Sequence, residues 1–368
     1  MDTKKLILDC VNSILKKNTA IIYGVLSKVK GSPKQFYMES VCQSLEDSEY
    51  SVSFRLKEKH RNLDNQFKYH IEKEKREDKI AIVLQGPVRK EDDYTLRTVE
   101  YYRSLYPDAI VIVSTWSDEN PIILDKIRAC RCEVVMSDMP TYGGHLNINY
   151  QLVNTLAGLK KAKDLGATYV AKTRTDQCIE KPHAFEYMVN LLKQFPTANP
   201  ERQNKRLITL SMNYGNMFYP YFMSDFLYFG TVDDVINVFS IPLDERKKFA
   251  MAPESSRRDY SEKMYAPEVY LMKHYLMNIG YKGDGTLEDY WKAVKESLIC
   301  VDMKTLDLDW PKYNGKYSLH SFYGDYFWDD TPDKMKTVNF DFVNWFNLYS
   351  GSLIYRPEYE KYVDVIFK

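Results

Sequence analysis

Residues 79–88 read KIAIVLQGPV, and this stretch decides the fold. Five apolar residues, Ile80 to Leu84, are followed directly by Gln85-Gly86-Pro87. A short apolar run that stops at glycine and proline is typical of a strand buried on both faces. Such strands occur in parallel sheets covered by helices, so the segment predicts an α/β domain that begins near Lys79.

The same pattern continues along the chain. Predicted strands at 109–113, 133–136 and 168–172 alternate with predicted helices at 94–106, 120–129 and 147–163. This alternation predicts a mostly parallel, nucleotide-binding (Rossmann-like) sheet flanked by helices on both faces. Further strands are predicted at 207–210 and 226–229, and further helices at 233–239, 265–278 and 287–298.

Three regions are predicted, which are an N-terminal helical extension (1–78), the α/β domain (79–300) and an irregular, aromatic-rich C-terminal region packed on it (301–368). Apolar residues at helical spacing between Leu6 and Leu15 indicate an amphipathic first helix. Docking of that helix on the main domain is favoured over binding to a membrane surface. The highly charged stretch 57–79 ends the extension.

Charge and cysteine content narrow the protein class. Lys+Arg and Asp+Glu number 51 each, so no excess of positive charge indicates a nucleic-acid partner. The six cysteines form no CxxC pair, and no signal peptide or membrane-spanning apolar run is found in the sequence. These features favour a cytoplasmic enzyme that acts, if its acceptor is lipid-linked, at the inner face of the membrane.

Several nucleotide-binding and hydrolase motifs are missing from the sequence. Gln85-Gly86-Pro87-Val88-Arg89 stands where a dinucleotide fold would carry GxGxxG, and neither a P-loop nor a GxSxG motif occurs. Ligands of parallel sheets bind beyond the carboxyl ends of the strands. The fourth predicted strand ends in Arg174-Thr175-Asp176, where Asp176 could hold Mg²⁺ or Mn²⁺ and Arg174 could clamp a phosphate. An ordinary ion pair between the two is the alternative.

The chain resembles a known family through six segments taken in order. They are Ile82–Val88, Thr95–Tyr102, Val113–Trp116, Asn147–Gln151, Lys172–Asp176 and Ser224–Phe226. Together they look like the WavE-type lipopolysaccharide-synthesis family, over about residues 79–275. The resemblance implies a glycosyltransferase of the A-type (GT-A-like) fold that acts in lipopolysaccharide or capsule synthesis.

The resemblance also implies roles for individual residues. Gln85, Gly86 and Pro87 would border the nucleotide, and Asp118 would contact its base or ribose. Asn147 and Asn149, at the start of a helix, would meet phosphate or ribose, although Asn147 could equally be a helix cap. The carboxylate motif that usually reads Asp-x-Asp has Arg174 in its first position, which leaves a requirement for Mn²⁺ or Mg²⁺ open.

An inverting transfer needs a carboxylate that accepts the proton of the acceptor hydroxyl. Glu268, at the start of a predicted helix, and Asp225, beside a predicted strand, are the two candidates. Alternatively, Glu268 could serve only to stabilise the N-terminus of its helix, as an acidic residue in the first turn does. A retaining enzyme would need no such base. His320 is a candidate to complete a metal shell with Asp176.

The sequence therefore predicts transfer of a sugar from a nucleotide-sugar donor to an oligosaccharide or lipid-linked acceptor, with peripheral membrane association. Two alternatives stay open at this point. One is transfer of a sugar-phosphate or nucleotidyl group on the same scaffold. The other is a non-catalytic scaffold in a polysaccharide-synthesis complex, suggested by the missing first acid of the motif.

Overall fold

The computed structural model describes residues 3–26, 28, 33–45, 78–211, 216–246, 266–310 and 339–366. The chain divides into two compact units, residues 1–62 and 63–368. The first unit contains α1 (Thr3–Leu26) and α2 (Pro33–Leu45), which pack against each other. The domain limits expected from the sequence, 78/79 and 300/301, stay predictions.

A seven-stranded sheet forms the centre of the second unit. The strands are β1 (Ile80–Gln85), β2 (Ile110–Trp116), β3 (Glu133–Ser137), β4 (Tyr169–Arg174), β5 (Cys178–Ile179), β6 (Leu207–Leu210), β7 (Tyr228–Thr231), β8 (Leu298–Val301) and β9 (Leu308–Asp309). β5 and β9 form a separate two-stranded pair. The main sheet has the order β3-β2-β1-β4-β7-β6-β8. The predicted strand at 79–88 thus lies next to β2 and β4 near the middle of the sheet.

The strand directions confirm the predicted fold class. β1 pairs in parallel with β2 and β4, β2 with β3, and β6 with β8. β7 is antiparallel to both of its neighbours, β4 and β6. Six strands therefore point one way, and their carboxyl ends meet at one edge of the sheet.

Helices cover both faces of this sheet. They are α3 (Tyr94–Leu105), α4 (Pro121–Ala129), α5 (Ile148–Asp164), α6 (Ala184–Gln194), α7 (Val232–Phe239), α8 (Pro267–Asn278), α9 (Leu287–Ser297), α10 (Phe342–Ser350) and α11 (Lys361–Ile366). The start of α4 follows its sequence signal, because the Asn120 side chain accepts a hydrogen bond from the Ile122 N–H and Pro121 occupies the first turn.

On one face, α5 lies across β1 and β2 at close range. Gly158 permits this approach, since a Cβ atom there would stand 2.6 Å from Val83 Cγ1 and 2.9 Å from Ser114 Cβ. The parallel register places Val83 beside Lys172, and Gln85 beside both Ser114 and Arg174, with their side chains on this same face. The α5 face therefore carries the polar strand ends that lead to the site.

The opposite face is packed with aromatic side chains. Phe185 of α6 makes edge contacts with Tyr102 of α3 and with Tyr106, the residue that follows this helix, at ring-centroid distances of 5.9 and 4.8 Å. Phe229 of β7 stacks on Tyr169 at 6.0 Å. The hydroxyls of Tyr101 and Tyr106 donate to the backbone carbonyls of Glu180 and Lys181.

The helix predicted at 287–298 is present as α9, whereas the chain after it is more regular than expected from the sequence. β8 pairs with β6 at the edge of the sheet, and the described part of region 301–368 contains α10 and α11. Trp345 of α10 is fully buried and donates its indole N–H to Leu298 O at 2.8 Å. Its ring meets Phe195 at 5.1 Å, so this helix packs directly on the α/β core.

Candidate functional site

The end of β1 is fixed by a buried amide from α5. Gly86, which has φ +124°, donates its N–H to Ser114 O at 3.0 Å and to Asn154 Oδ1 at 3.1 Å. Asn154, fully buried, also donates from Nδ2 to Thr115 O at 2.9 Å. One side chain thus holds the ends of β1 and β2 together. Asn154 was not among the residues predicted from the sequence, although an asparagine on the apolar side of a predicted helix is a signal of such a role.

The turn after β4 is tied to the same place. Thr175 donates its N–H to Gln85 O at 3.1 Å and its hydroxyl to Pro87 O at 2.7 Å. Thr95 Oγ1 in turn donates to Thr175 O at 2.8 Å. These bonds bring Gln85-Gly86-Pro87 and Arg174-Thr175-Asp176, predicted separately from the sequence, into one structure at the carboxyl edge of the sheet.

Arg174 and Asp176 form a two-pronged ion pair. Arg174 Nε donates to Asp176 Oδ1 at 2.9 Å, and its Nη2 donates to Oδ2 at 3.2 Å. Both side chains are partly exposed, at 24% for Arg174 and 14% for Asp176. The Arg174 guanidinium also lies 5.4 Å from the centre of the Trp310 ring. The arginine is therefore oriented from two sides and still reaches solvent.

Lys172 lies two residues earlier on β4, on the same face as Arg174. It is fully buried, and its Nζ donates to Asp225 O at 2.6 Å. Burial, together with the charge of Arg174, lowers the pKa of Lys172 to about 7 against the opposing effects of Asp225 and Asp176. A charged group in the core at this position is costly for stability, which points to a role in the site.

Asp225 and Glu268, the two carboxylates predicted as candidate bases, lie close enough to influence each other. Asp225 is buried just before β7, and Glu268 is half-buried in the first turn of α8. Desolvation raises the pKa of Glu268, the charge of Asp225 raises it further, and Arg174 opposes these effects. We call Lys172, Arg174, Asp176, Asp225 and Glu268 the charged cluster.

Several buried polar atoms near the charged cluster have no hydrogen-bond partner among the described residues. They include Gln85 Oε1, Tyr228 OH and both amide atoms of Gln177. Tyr228 interacts electrostatically with Asp225 and Glu268. Orphaned polar groups are unfavourable in a folded core, and their concentration near strand ends is typical of a functional site.

Three of the predicted nucleotide contacts lie further out. Asp118 is exposed in the turn that follows β2. Asn147 is exposed with φ +68° at the start of α5, and its side chain makes no capping hydrogen bond there. Asn149 is buried, with Nδ2 donating to Tyr142 O and Asp244 O and Oδ1 accepting from the Asp244 N–H. Its amide is therefore engaged by the backbone, whereas Asp118 and Asn147 stay accessible to a ligand.

A second ion pair anchors the loop that contains Gly143 and Gly144. Asp244 accepts from Arg246 Nε at 2.7 Å and Nη2 at 2.9 Å, and from the His145 N–H at 3.0 Å. Burial alone would raise the pKa of Asp244. The hydrogen bonds from Arg246 and His145 outweigh this effect and lower the pKa to about 2. The Arg246 guanidinium lies 4.7 Å from the centre of the Tyr270 ring of α8. This network links the loop before α5 to α8, and sequence reasoning did not find it.

The predicted metal site, Asp176 with His320, stays a prediction because His320 lies outside the described residues. Within the described residues, no group of three His, Cys, Asp or Glu side chains is placed to hold a metal ion. Both carboxylate oxygens of Asp176 accept hydrogen bonds from Arg174, which places a positive charge beside that carboxylate.

Membrane contact was the other feature expected of an enzyme with a lipid-linked acceptor. Among the helices that the structure describes, none combines the length and apolar character needed to cross a bilayer.

The mostly parallel sheet and the charged cluster at its carboxyl edge define an α/β protein of the Rossmann-like class with a candidate active site. Residues 80–362 match the sequence model of a family described as WavE lipopolysaccharide synthesis. The chain belongs to this family, which confirms the resemblance seen in the sequence. A comparison with curated proteins finds no match.

A comparison with solved structures finds matches at low identity and low TM-score, including the following two. A 4-diphosphocytidyl-2C-methyl-D-erythritol synthase from Anaerococcus prevotii matches at 12% identity and TM-score 0.30, over 44% of this chain and 74% of that chain. A protein described as a glucose-1-phosphate thymidylyltransferase from Bacillus anthracis, in complex with sucrose, matches at 8% identity and TM-score 0.35. This second match covers 65% of this chain and 92% of the other.

Proposed function

We propose that the protein transfers a sugar from a nucleotide-sugar donor to a surface-polysaccharide acceptor. The observation that carries the proposal is the charged cluster at the carboxyl edge of a parallel sheet. It combines an oriented arginine with a pair of interacting carboxylates. An inverting sugar transfer from a nucleoside diphosphate uses both components, a cation for the leaving diphosphate and a base for the acceptor.

On the donor side, Arg174 is suited to bind the diphosphate. Its planar guanidinium carries five N–H donors, of which the pair with Asp176 uses two. Stacking beside Trp310 and pairing with Asp176 fix the plane of the group before a ligand arrives. A preorientated arginine stabilises the negative charge that builds up on the diphosphate as the bond to the sugar breaks.

Gln85-Gly86-Pro87 would form the adjacent wall of the donor site. The side chain of Gln85 lies beside Arg174 in the sheet register, and its Oε1 has no partner among the described residues. Asp118, in the turn after β2, and Asn147, at the start of α5, would contact other parts of the nucleotide. Asn149 would support this region through its backbone contacts.

On the acceptor side, the Glu268–Asp225 pair would supply the base. As the acceptor oxygen bonds to the anomeric carbon, the bond from that carbon to the diphosphate breaks and the acceptor proton passes to a carboxylate. Burial and Asp225 raise the pKa of Glu268, which increases its proton affinity relative to an exposed glutamate. Glu268 is therefore the proposed base, and Asp225 the group that tunes it.

The family described as WavE lipopolysaccharide synthesis supports the choice of acceptor class, an oligosaccharide or lipid-linked precursor of a surface polysaccharide. Arg174 supplies the charge that a divalent cation provides in many such enzymes, so the proposed reaction needs no step through Mn²⁺ or Mg²⁺.

The test begins with binding, because a transferase without its acceptor turns over slowly. A panel of nucleoside diphosphates and nucleotide-sugars is screened by thermal shift, since ligands that bind only the folded state raise the melting temperature. The preferred donor, labelled in both the sugar and the β-phosphate, is then incubated with polysaccharide precursors. Transfer of the sugar label without the phosphate label is expected.

Glu268→Gln separates the roles within the site. The variant should lower kcat by about 10²–10⁴-fold, the range of general-base catalysis, while donor affinity changes little. Glu288→Gln, at an exposed acid in the first turn of α9, is the matched control. Phosphate label that moves with the sugar would assign the protein to the alternative transferase class. A protein that binds no nucleotide at all would support the scaffold role.

A further inference from the structure

We infer that α1 binds the surface of an anionic phospholipid bilayer, lying parallel to it. This inference is independent of the proposed sugar transfer. It rests on the way in which α1 exposes its apolar residues and on the distribution of charge in the first 34 residues of the chain.

Five apolar residues of α1, from Ile14 to Val25, form a continuous exposed stripe. At about 3.6 residues per turn, Ile14, Ile21 and Val25 share one side of the helix, and Leu15 and Ile22 lie next to them. All five are exposed, with fractions from 43% for Ile22 to 65% for Val25. We call these five residues the apolar stripe. A contiguous exposed apolar surface of this kind marks an interaction site.

α2 does not cover the apolar stripe. Its contact with α1 is on the other side, where Tyr37 OH donates to Thr19 Oγ1 at 3.4 Å. Of the α1 residues from Ser13 to Val25, only Tyr23 is half-buried, and it lies on the same side as Thr19. α1 therefore meets α2 through its more polar side and leaves the apolar stripe exposed.

The net charge of residues 1–34 indicates which kind of partner would cover the apolar stripe. Residues 1–34 contain seven lysines, two aspartates and no arginine or glutamate, a net charge of +5 in a chain whose total is 0. Lys16 and Lys17 are exposed and lie off the apolar stripe. A helix with a lysine-bearing polar side and an aliphatic side binds anionic lipid surfaces, because lysines meet the headgroups while the apolar side enters the acyl boundary.

A second copy of the same segment fits this pattern less well. Two segments of +5 would repel each other across a shared interface, whereas an anionic bilayer attracts each of them. α1 is 24 residues long, but neither it nor any other described helix combines such a length with the apolar character needed to cross a bilayer.

Co-sedimentation of the full chain with vesicles tests the inference. The protein is expected to pellet with vesicles of 70% phosphatidylcholine and 30% phosphatidylglycerol, and to stay in solution with phosphatidylcholine alone. Ile21→Ser combined with Val25→Ser should weaken binding about tenfold or more, because two apolar side chains no longer enter the bilayer. Lys16→Gln combined with Lys17→Gln should also weaken it, and more strongly at low salt.

Matched variants make the result decisive. Lys126→Gln combined with Lys160→Gln removes the same charge from exposed positions of α4 and α5, and should leave vesicle binding unchanged. Equal pelleting of wild type and the Ile21→Ser/Val25→Ser variant would overturn the inference. So would a doubled molecular mass in light scattering that this variant abolishes, since a second copy would then cover the stripe. A melting temperature lowered by several degrees in the variant would show that the stripe packs on the protein itself.

Discussion

Replacing Lys172 by methionine should make the protein more stable at pH 6 and less active at the same time. Lys172 is fully buried, and burial lowers its pKa only to about 7, so the side chain is charged at pH 6. Methionine has a similar length and no charge to desolvate. The variant also loses the bond from Nζ to Asp225 O, which positions one carboxylate of the charged cluster.

The expected gain in stability for Lys172→Met follows from the pKa of Lys172. A fall from 10.5 to about 7 corresponds to about 5 kcal/mol of unfavourable free energy for burying the ammonium, at about 1.4 kcal/mol per pKa unit. The lost hydrogen bond, which involves a charged donor, offsets about 2 kcal/mol of this gain. Lys172→Met is therefore expected to raise the free energy of unfolding by about 3 kcal/mol at pH 6.

The same numbers fix the sign of the pH dependence. Between pH 7 and 10.5, folded Lys172 has released its proton and the unfolded chain still holds it. The contribution of Lys172 to stability therefore rises with pH by about 1.4 kcal/mol per unit in this window. The advantage of Lys172→Met should shrink by about 3 kcal/mol from pH 7 to pH 9, which removes it almost completely.

Urea unfolding of the wild type and the variant at pH 6, 7, 8 and 9 measures this difference directly. Lys160→Met, at an exposed position of α5, is the control and should follow the wild type at every pH. A variant that is less stable than wild type at pH 6, or whose difference from wild type is the same at all four pH values, would refute the reasoning. A change in packing alone would alter the free energy of unfolding equally at all four pH values. Only the loss of a titrating lysine makes the difference between variant and wild type depend on pH.

Three further changes test other parts of the site. Asn154→Ala should lower the free energy of unfolding by about 2–4 kcal/mol in urea titrations, because it leaves Thr115 O without that donor and removes one of the two acceptors of the Gly86 N–H. Gly158→Ala should lower it by about 1–3 kcal/mol, since the new methyl group would meet Val83 and force α5 away from the sheet. Calorimetric affinity for the preferred nucleoside diphosphate should be the same with and without a chelator, and should fall at least about tenfold in Arg174→Met. A chelator that weakens binding would restore the metal to the site.

The sequence was sufficient for the sheet because its signals are local. The apolar run at Ile80–Leu84 and the three later runs became β1 to β4, and their stop residues became the edge at which the site lies. β8 was missed because Leu298–Val301 directly follows a helix with no glycine or proline between them, so one apolar pattern continues into the next. The helix α10 was missed because its aromatic residues also fit an irregular packed segment.

The charged cluster could be predicted only in part, and the reason is its long-range origin. Arg174 and Asp176 lie on the same turn, and their spacing suggested chemistry from the sequence alone. The effect of Asp225 on Glu268 joins residues 43 positions apart, through the pairing of β4 with β7 and the placement of α8. No local sequence pattern predicts that Asp225 and Glu268 interact. Each was a candidate base only because it is a carboxylate beside a predicted element.

Lys172 shows why the most informative residue was also the least visible one. In the sequence it ends a predicted strand, where a lysine normally reaches solvent and needs no explanation. In the structure β7 and α7 enclose it, with the Phe239 ring 5.6 Å from its Nζ, and leave the ammonium beside Asp225. Stability alone would favour an apolar residue there, so the retained charge is best explained by the electrostatics of the site, where Arg174, Asp176, Asp225 and Glu268 also lie. That argument makes the opposite effects of Lys172→Met on stability and on activity the sharpest test of whether this edge of the sheet is an active site.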